Sequence, residues 1–554
     1  MLVILDNFEH LTAASPLVAD LASACPGLTV LVTSRSPLRL GGEHQFPVAP
    51  LPLTGSVSID DLESSPAVRL FDQRARAASP SFELTAENTS AVMDICRRLD
   101  GLPLAIELAA ARIKLFSPQA LLKRLDRRLQ VLSGGARDLP ERQQTLRDTV
   151  AWSYDLLDAS ERSLFARLAV FSGGCTLAAA EAVCGPDRNA PETGDILESL
   201  AALVDNSLLV PKSGRSVALE DKEPRFVMLE TIREYAVERL ESSGEAEALR
   251  CVHALYFLTL AEHTQPEVTE RMLEEWLAAL EEEHDNLRAA LGWAIRSRKP
   301  DLGVRLGLTL WRFWAERYRL GEARRWLEAV LALGELEGET GGIDPELPAR
   351  RWAFLHLVTG MPSAGQGDYE RAVALYEQSL ILYRNLGHKK GTSGPLRELG
   401  IVAYMQGDYE RAISLSEQAL TVSREAGSSF AAGLAICTLS DALRAQGEVE
   451  RARTLLEESL VSLRRRKYPL RIANALAIMI SRLGSIECET GSAAHAMELF
   501  RESLRLARRF GFTYDALICL EGMARAMTIQ RTGRRTRRDF WGSPPPCVKR
   551  WARP

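Results

Sequence analysis

Four apolar residues, Leu2 to Leu5, run directly into Asp6. A short unbroken apolar run of this kind reads as a parallel strand buried on both faces. A helical stretch follows from Leu17 to Ala24, closed by the Pro26-Gly27 break. Leu28 to Thr33 reads as a second strand and ends in Ser34-Arg35. His44 to Val48 reads as a third extended piece, leading into the proline-rich PVAPLPL. Strand, helix, strand, strand in that order predicts a parallel sheet with its polar groups on one rim. Asp6 would stand on that rim, where open α/β sheets bind ligands.

From Ala67 to Leu132 the apolar period lengthens to that of helices. Val92, Ile95, Cys96 and Leu99 fall at i, i+3, i+4 and i+7. Asp100-Gly101 ends this helix and Leu102-Pro103-Leu104 opens the next. A proline costs little there, because the N–H it lacks would be unpaired in a first turn anyway. Further on, Asp158 to Glu161 reads D-x-x-E, a helix-opening capping pattern.

The C-terminal half repeats itself. QGDYERAVALYEQSL begins at Gln366, QGDYERAISLSEQAL at Gln406, QGEVERARTLLEESL at Gln446 and TGSAAHAMELFRESL at Thr490. With the glycine of each copy as position zero, position +5 is Ala372, Ala412, Ala452 and Ala496. Position +8 is Leu375, Leu415, Leu455 and Leu499, and position +13 is Leu380, Leu420, Leu460 and Leu504. Position +12 is always small: Ser379, Ala419, Ser459 and Ser503. This predicts a helix with one buried stripe and small residues where a neighbouring helix comes close. GEARRWLEAVLAL fits the same frame as a degenerate earlier copy, with Tyr318 in the glycine place. The pattern resembles tetratricopeptide (TPR) repeats with lengthened turns. Stacked helix pairs of that type form a solenoid with a concave binding surface.

Composition narrows the function classes. A net charge of −5 over 554 residues gives no reason to expect nucleic-acid binding by the whole chain. No apolar run approaches the roughly 18 residues of a membrane span. The nine cysteines form no C-x-x-C pair and no zinc spacing, which suits reduced thiols in a cytoplasm. Glu283-His284-Asp285 mimics a ligand cluster, but consecutive helical residues point in different directions. No nucleophile–base pair points to another enzyme class.

LVILDNFEHL resembles a Walker B segment and VLVTSR resembles the sensor strand of STAND-class NTPases. These are relatives of NB-ARC proteins and of large bacterial transcriptional regulators of the LuxR and AfsR types. DGLPLAIELAAARI resembles the GLPLA motif of the same family. The resemblance implies that Asp6 faces Mg²⁺ beside the β- and γ-phosphates, that Arg35 senses the terminal phosphate, and that Pro103 lies against adenine. ATP or ADP with Mg²⁺ is then the implied cofactor, and the signalling ATPase family the implied class. Two departures bear on this. Asn7 follows Asp6 where a second acid is common, so switching is expected more than hydrolysis. Nowhere in the chain is there a Gly-x-x-x-x-Gly-Lys-Ser/Thr loop. In the family that loop lies upstream of Walker B, so Met1 is expected to be an internal start or fragment boundary, and this chain alone is not expected to retain nucleotide.

The same resemblance divides the chain. Residues 1–54 would be a partial NTPase core, 55–135 a helical lid, 136–245 a winged helix, 246–530 the TPR-like solenoid and 531–554 a basic tail. The expected fold is therefore mainly α, with a partial α/β N-terminus and an incomplete P-loop NTPase sheet. In the winged segment Phe226 to Leu229 would be the wing strand, and Leu229 stands where relatives place a histidine that touches ADP. LEEEHDNLRAALGW, near Glu281, resembles the helix that links to the repeats. The winged helix is expected to pack on the nucleotide fold, without direct DNA contact. The solenoid is expected to bind a protein or small-molecule inducer on its concave face, with a second copy of the chain as the other partner considered; no membrane is implied. Residues 531–554 carry RTGRRTRRDFWGSPPPCVKRWARP, read as a basic arm, a disordered tail, or an out-of-frame continuation. A nucleotide-independent TPR scaffold is the alternative reading of the whole.

Overall fold

The computed structural model describes residues 1–6, 8, 11, 14–34, 36–52, 65–125, 145–185, 195–212, 224–263, 270–334, 347–464, 470–509 and 513–532. The chain divides into two units, Met1–Tyr256 and Phe257–Pro554.

The first unit opens with β1 (Leu2–Leu5), α1 (Ser15–Ala24) and β2 (Thr29–Val32). The two strands pair in parallel, Leu2 opposite Thr29 through Leu5 opposite Val32. Two expectations fail here. β1 is not buried on both faces: Leu2 and Ile4 are 58% and 61% exposed, with Leu31 beside them at 53%. The described sheet has two strands, and among the described residues the side chains of Leu2, Ile4 and Leu31 stay exposed. His44–Val48 forms no strand, and Phe46 and Val48 are fully open to solvent. Pro47, Pro50 and Pro52 break up this stretch, because a residue without an N–H cannot donate to a ladder.

Four helices follow: α2 (Pro66–Ala78), α3 (Thr89–Arg98), α4 (Pro103–Ala110) and α5 (Pro118–Arg124). The predicted apolar stripe, Val92, Ile95, Cys96 and Leu99, is buried completely, together with Phe71 of α2 and Ile106 of α4. Burying each large apolar side chain contributes about 1.5–3 kcal/mol. α3 ends in a left-handed pair, Asp100 at φ 56° and Gly101 at φ 68°, with the Gly101 amide bonded back to the Cys96 carbonyl. This is a Schellman-type stop.

The third part is a winged helix: α6 (Leu146–Asp155), α7 (Ala159–Leu168), β3 (Cys175–Thr176), α8 (Leu177–Cys184), α9 (Ile196–Asp205), β4 (Val210–Lys212), β5 (Arg225–Val227) and α10 (Glu230–Ser243). The strands form an antiparallel sheet in the order β3-β5-β4. α7 opens with the predicted capping box, Asp158 and Glu161 each accepting the other's backbone N–H at 2.8–2.9 Å. Gly174 lets β3 lie against β5, since a Cβ there would sit 2.4 Å from the Phe226 carbonyl oxygen.

α11 (Ala246–His263) carries the boundary between the units. The second unit is a helical solenoid. It runs through α12 (Glu270–Glu282), α13 (His284–Arg296), α14 (Pro300–Glu316), α15 (Leu320–Leu331), α16 (Leu347–Gly365), α17 (Tyr369–Asn385) and α18 (Ser393–Met405). It continues through α19 (Tyr409–Glu425), α20 (Ser429–Gln446), α21 (Val449–Arg464), α22 (Leu470–Thr490), α23 (Ala493–Arg509) and α24 (Thr513–Thr532). The repeat helices are α17, α19, α21 and α23. Each follows its glycine, and Gly367, Gly407, Gly447 and Gly491 all hold positive φ, 84° to 96°. Tyr318, in the glycine place of the degenerate copy, holds φ 55° just before α15. The four alanines at +5 are wholly buried. Ser379 and Ser503, at +12, donate to the carbonyls of Ala353 and Ala477 on the preceding helix at 2.7 and 2.6 Å.

Besides the +5 alanines, the most deeply buried ridge lies one residue past the predicted +8 leucines, at +9: Tyr376, Ser416, Leu456 and Phe500. Leu415, Leu455 and Leu504 are only half-buried. Sixteen residues before three of these +9 positions stand Gly360, Gly400 and Gly484. A Cβ on each would meet Tyr376, Ser416 or Phe500 at 2.4, 2.9 or 3.1 Å. Helix pairs of the solenoid thus close on a small-to-variable contact.

Candidate functional site

Parallel registration of β1 and β2 brings their carboxyl ends to one rim. Asp6 leaves β1 there, and Thr33, the first residue after β2, donates its hydroxyl to the Asp6 carboxylate. The Thr33 amide bonds the Leu5 carbonyl at 2.9 Å, and the Phe8 amide bonds the Thr33 carbonyl at 3.0 Å. The Asp6 and TSR segments are therefore neighbours. Arg35 itself lies outside the described residues, as do Asn7 and Glu9.

Pro103 occupies the first turn of α4 and is exposed. The segment after β2 is tied to this corner: the Leu51 amide bonds the Gly101 carbonyl at 2.9 Å. A Cβ at Gly101 would lie 2.4 Å from the Leu51 carbonyl oxygen, so only glycine allows this approach. Asp100 turns the other way. Its carboxylate accepts from the Thr231 amide at 3.2 Å and the Thr231 hydroxyl at 3.3 Å, in the first turn of α10. Leu229 is the N-cap of α10 and offers no side-chain acceptor. Sequence reasoning read Asp100-Gly101 only as a stop. No signal in the sequence marks Asp100 as a contact residue, because its partner lies 131 positions away.

The donor set fits a nucleotide only in part. One carboxylate and one hydroxyl at the rim suit a hydrated Mg²⁺, which prefers oxygen ligands. A triphosphate also needs an amide cradle and a lysine, and the sequence supplies no such loop. No catalytic step follows from these residues. Among the described residues no group of three or more His, Cys, Asp and Glu is placed to hold a metal.

Glu283-His284-Asp285 belongs to a different arrangement. His284 is buried at the start of α13, with Arg319 Nη1 2.8 Å from its Nδ1 and Glu322 3.2 Å from its Nε2. Burial holds the imidazole below its ordinary value, against the pull of Glu322. Burial raises Glu322, but the Arg288 hydrogen bond and the neighbouring charges outweigh it and hold that carboxyl low. Farther along, polar rungs join successive helices: Arg482 of α22 to Asp441 of α20 at 2.8 Å, Arg444 of α20 to Glu489 of α22 at 2.6 Å, and Asn474 of α22 to Asp515 of α24 at 3.0 Å. Cys437, buried beside them, is pushed up to about 12, and a thiol in that state is a poor nucleophile. Among the described residues no helix is long and apolar enough to cross a membrane.

With this geometry established, comparison with known proteins is informative in parts. A winged helix-turn-helix domain family matches residues 157–241, and a tetratricopeptide repeat family matches residues 364–425 and 392–465. The "Putative HTH-type transcriptional regulator Rv0890c" of Mycobacterium tuberculosis is 40% identical over 336 residues, 60% of this chain and 35% of that protein. "Regulatory protein AfsR" of Streptomyces coelicolor is 29% identical over 262 residues, 45% of this chain and 22% of that protein. A crystal structure of a "Signal Transduction ATPase with Numerous Domains (STAND) protein with a tetratricopeptide repeat sensor" from Pyrococcus horikoshii aligns over 96% of this chain and 78% of its own, at 15% identity and a TM-score of 0.32. The chain thus spans about a third of the HTH-type regulator it matches, and it combines a winged helix with a TPR solenoid.

Proposed function

We propose that this chain is the downstream part of a nucleotide-switched regulator of transcription, of the STAND type. In this reading residues 1–54 are part of an NTPase core, 55–135 its helical lid, 136–245 the winged helix and 246–530 the sensor. Asp6 would face Mg²⁺ bound with ATP or ADP, Arg35 the terminal phosphate and Pro103 the adenine. The observation that carries the reading is the parallel, in-register β1–β2 pair. It sets Asp6 beside the TSR segment on one rim, while Leu51 ties the following loop to the GLPLA corner. Similarity to an HTH-type regulator and to AfsR supports the transcriptional role. The solenoid would take a protein or small-molecule inducer on its concave face.

The winged helix is read as an internal docking module. α9, the helix before the wing, is ILESLAALVD, with Glu198 and Asp205 and no basic residue. Such a helix is a poor match for phosphates or base edges. The second reading, a nucleotide-independent scaffold, is favoured by the missing phosphate loop. Titration of MgATP and MgADP separates the two. The 554-residue chain is expected to bind neither at millimolar nucleotide, and the polypeptide extended through the in-frame upstream coding sequence is expected to bind both. A stop codon just upstream, or an extended protein that still binds nothing, would favour the scaffold.

A further inference from the structure

The outer face of the repeat helices α17, α19, α21 and α23 carries a pattern that packing within the solenoid does not require. Position +3 is Glu370, Glu410 and Glu450 in the first three copies, and all three are exposed. Position +17 is Arg384, Arg424, Arg464 and Arg508. Of these, Arg384, Arg424 and Arg508 are exposed. The two positions lie about 21 Å apart along the helix and within about 40° of one face. Between them, position +7 is small and exposed, at Ala374, Ser414 and Thr454. Position +14 is β-branched and exposed, at Ile381, Thr421 and Val461, with Ile381 46% and Val461 54% accessible. In the fourth copy Ala494 replaces the acid at +3, while Glu498 stands at +7 and Arg505 at +14, both exposed. The helix dipole favours an acid in the first turn and a base in the last, which accounts for +3 and +17. It does not account for +7 and +14, which lie in the helix interior.

We propose that this face pairs with the same face of a second copy of the chain, about a twofold axis perpendicular to the repeat helices. Each repeat helix then meets its own counterpart antiparallel. Positions +3 and +17 lie symmetrically about the helix midpoint, as do +7 and +14, so reversal sets each against the other. Glu370 faces the partner's Arg384, and Glu410 the partner's Arg424. The small +7 residues receive the β-branched side chains at +14, and in the fourth copy Glu498 faces the partner's Arg505. Such an interface is isologous and closes as a dimer. Ion pairs between successive repeat helices fix the pitch of the row: Arg371 with Glu328 at 3.8 Å, Arg411 with Glu377 at 3.9 Å and Arg451 with Glu417 at 2.7 Å. They also engage these +4 arginines and +10 glutamates within the chain. Glu450 and Glu498 each lie 3.7 Å from a basic side chain of their own helix while staying 79% and 76% exposed, so pairing across the interface replaces a weak contact. A partner of a single charge sign would match one end of this face, whereas a reversed copy matches both ends and the interior. This inference rests on the repeats alone and requires neither nucleotide nor the winged helix.

Sedimentation velocity on the full chain, at about 0.05 M salt, tests it. A monomer–dimer equilibrium is expected, with a dissociation constant of about 10 µM that weakens about tenfold or more at about 0.5 M salt. Two charge-reversed variants decide where the contact lies. Arg384→Glu with Arg424→Glu makes both ends of the face acidic, and Glu370→Arg with Glu410→Arg makes both ends basic. Each alone is expected to stay monomeric at about 100 µM, with the parent's helical content by circular dichroism. Mixed in equal amounts they are expected to form a heterodimer, because each reversed end then faces its opposite. Should a reversed variant lose helical content, Arg384→Gln with Arg424→Gln reads the same contact and is expected to weaken the dimer about tenfold. A parent chain that stays monomeric at low salt overturns the proposal, whatever else binds this face. So do variants that dimerise as tightly as the parent, which would place self-association elsewhere in the chain. A mixture whose two variants remain separate overturns it as well.

Discussion

Gly360 is the sharpest test of how the solenoid packs. Replacing it with alanine places a methyl carbon 2.4 Å from Tyr376 Cε1 and 2.8 Å from Cδ1. Tyr376 is completely buried, so its ring has no solvent side to move into. Overpacking of this kind costs about 1–3 kcal/mol. Removing a glycine from a helix returns up to about 1 kcal/mol of propensity. At 2.4 Å the clash falls in the upper part of that range, about 2–3 kcal/mol, so the balance is a loss of about 1–2 kcal/mol for Gly360→Ala. At the matching position, Gly400→Ala meets the Ser416 hydroxyl at 2.9 Å, a small group with no hydrogen bond to lose, while the Ala412 carbonyl oxygen and Leu415 Cβ lie at ordinary contact distances of 3.4 and 3.6 Å. There the propensity gain wins, and the variant is expected to be neutral or up to about 1 kcal/mol more stable. Repeat arrays do not unfold in one step, so urea denaturation followed by circular dichroism should be read beside hydrogen exchange of the α16–α17 and α18–α19 pairs. Adding Tyr376→Leu to Gly360→Ala should recover most of the loss, since the third repeat already pairs the small Ser440 with Leu456 at these positions. Equal effects at Gly360 and Gly400, or no loss at Gly360, would refute the packing argument.

Other outcomes follow from the same structure. Tyr376→Phe removes a buried hydroxyl with no hydrogen-bond partner, and should leave stability unchanged or raise it by about 1 kcal/mol in the same assay. Asp441→Ala strips a carboxylate, 8% exposed, from the largely buried Arg482 and should cost about 3 kcal/mol, whereas Glu417→Ala, which breaks the exposed pair with Arg451, should cost under about 1 kcal/mol. His284 has its folded value held below the ordinary 6.5, so the unfolded chain binds the extra proton first. Stability should therefore be full above about pH 6.5 and fall as the pH drops toward the folded value, and His284→Gln should flatten that slope in a pH series of thermal melts. With residues 531–554 removed, no salt-sensitive retention of duplex DNA is expected on a DNA column; retention that persists would argue for DNA contact by the winged helix.

The repeats were the most legible part of the chain. A glycine that must turn left-handed and an alanine that must be buried recur at fixed offsets, and even Tyr318 took the glycine's backbone. The +9 ridge was illegible because its residue type changes from Tyr to Ser to Leu to Phe. The compensating small residue sits sixteen positions away on another helix, where a single-helix pattern does not reach. His44–Val48 misled because alternating polarity was weighed without the prolines that forbid a ladder. β1 was read as buried because apolar composition reports what a strand can pack against, not whether the described residues supply that cover. At the rim, the acidic strand end and the TSR segment were readable because parallel register forces them together. The Asp100–Thr231 contact was not readable, since it joins residues 131 positions apart.

The central claim is that Asp6 faces a magnesium-bound nucleotide once the rest of the fold is present. Isothermal titration of ADP into the upstream-extended polypeptide, with and without Mg²⁺, tests it directly when repeated on Asp6→Ala. The account predicts Mg²⁺-enhanced binding that weakens at least tenfold, about 1.4 kcal/mol, in the variant. Binding that ignores both Mg²⁺ and the loss of Asp6 would contradict it.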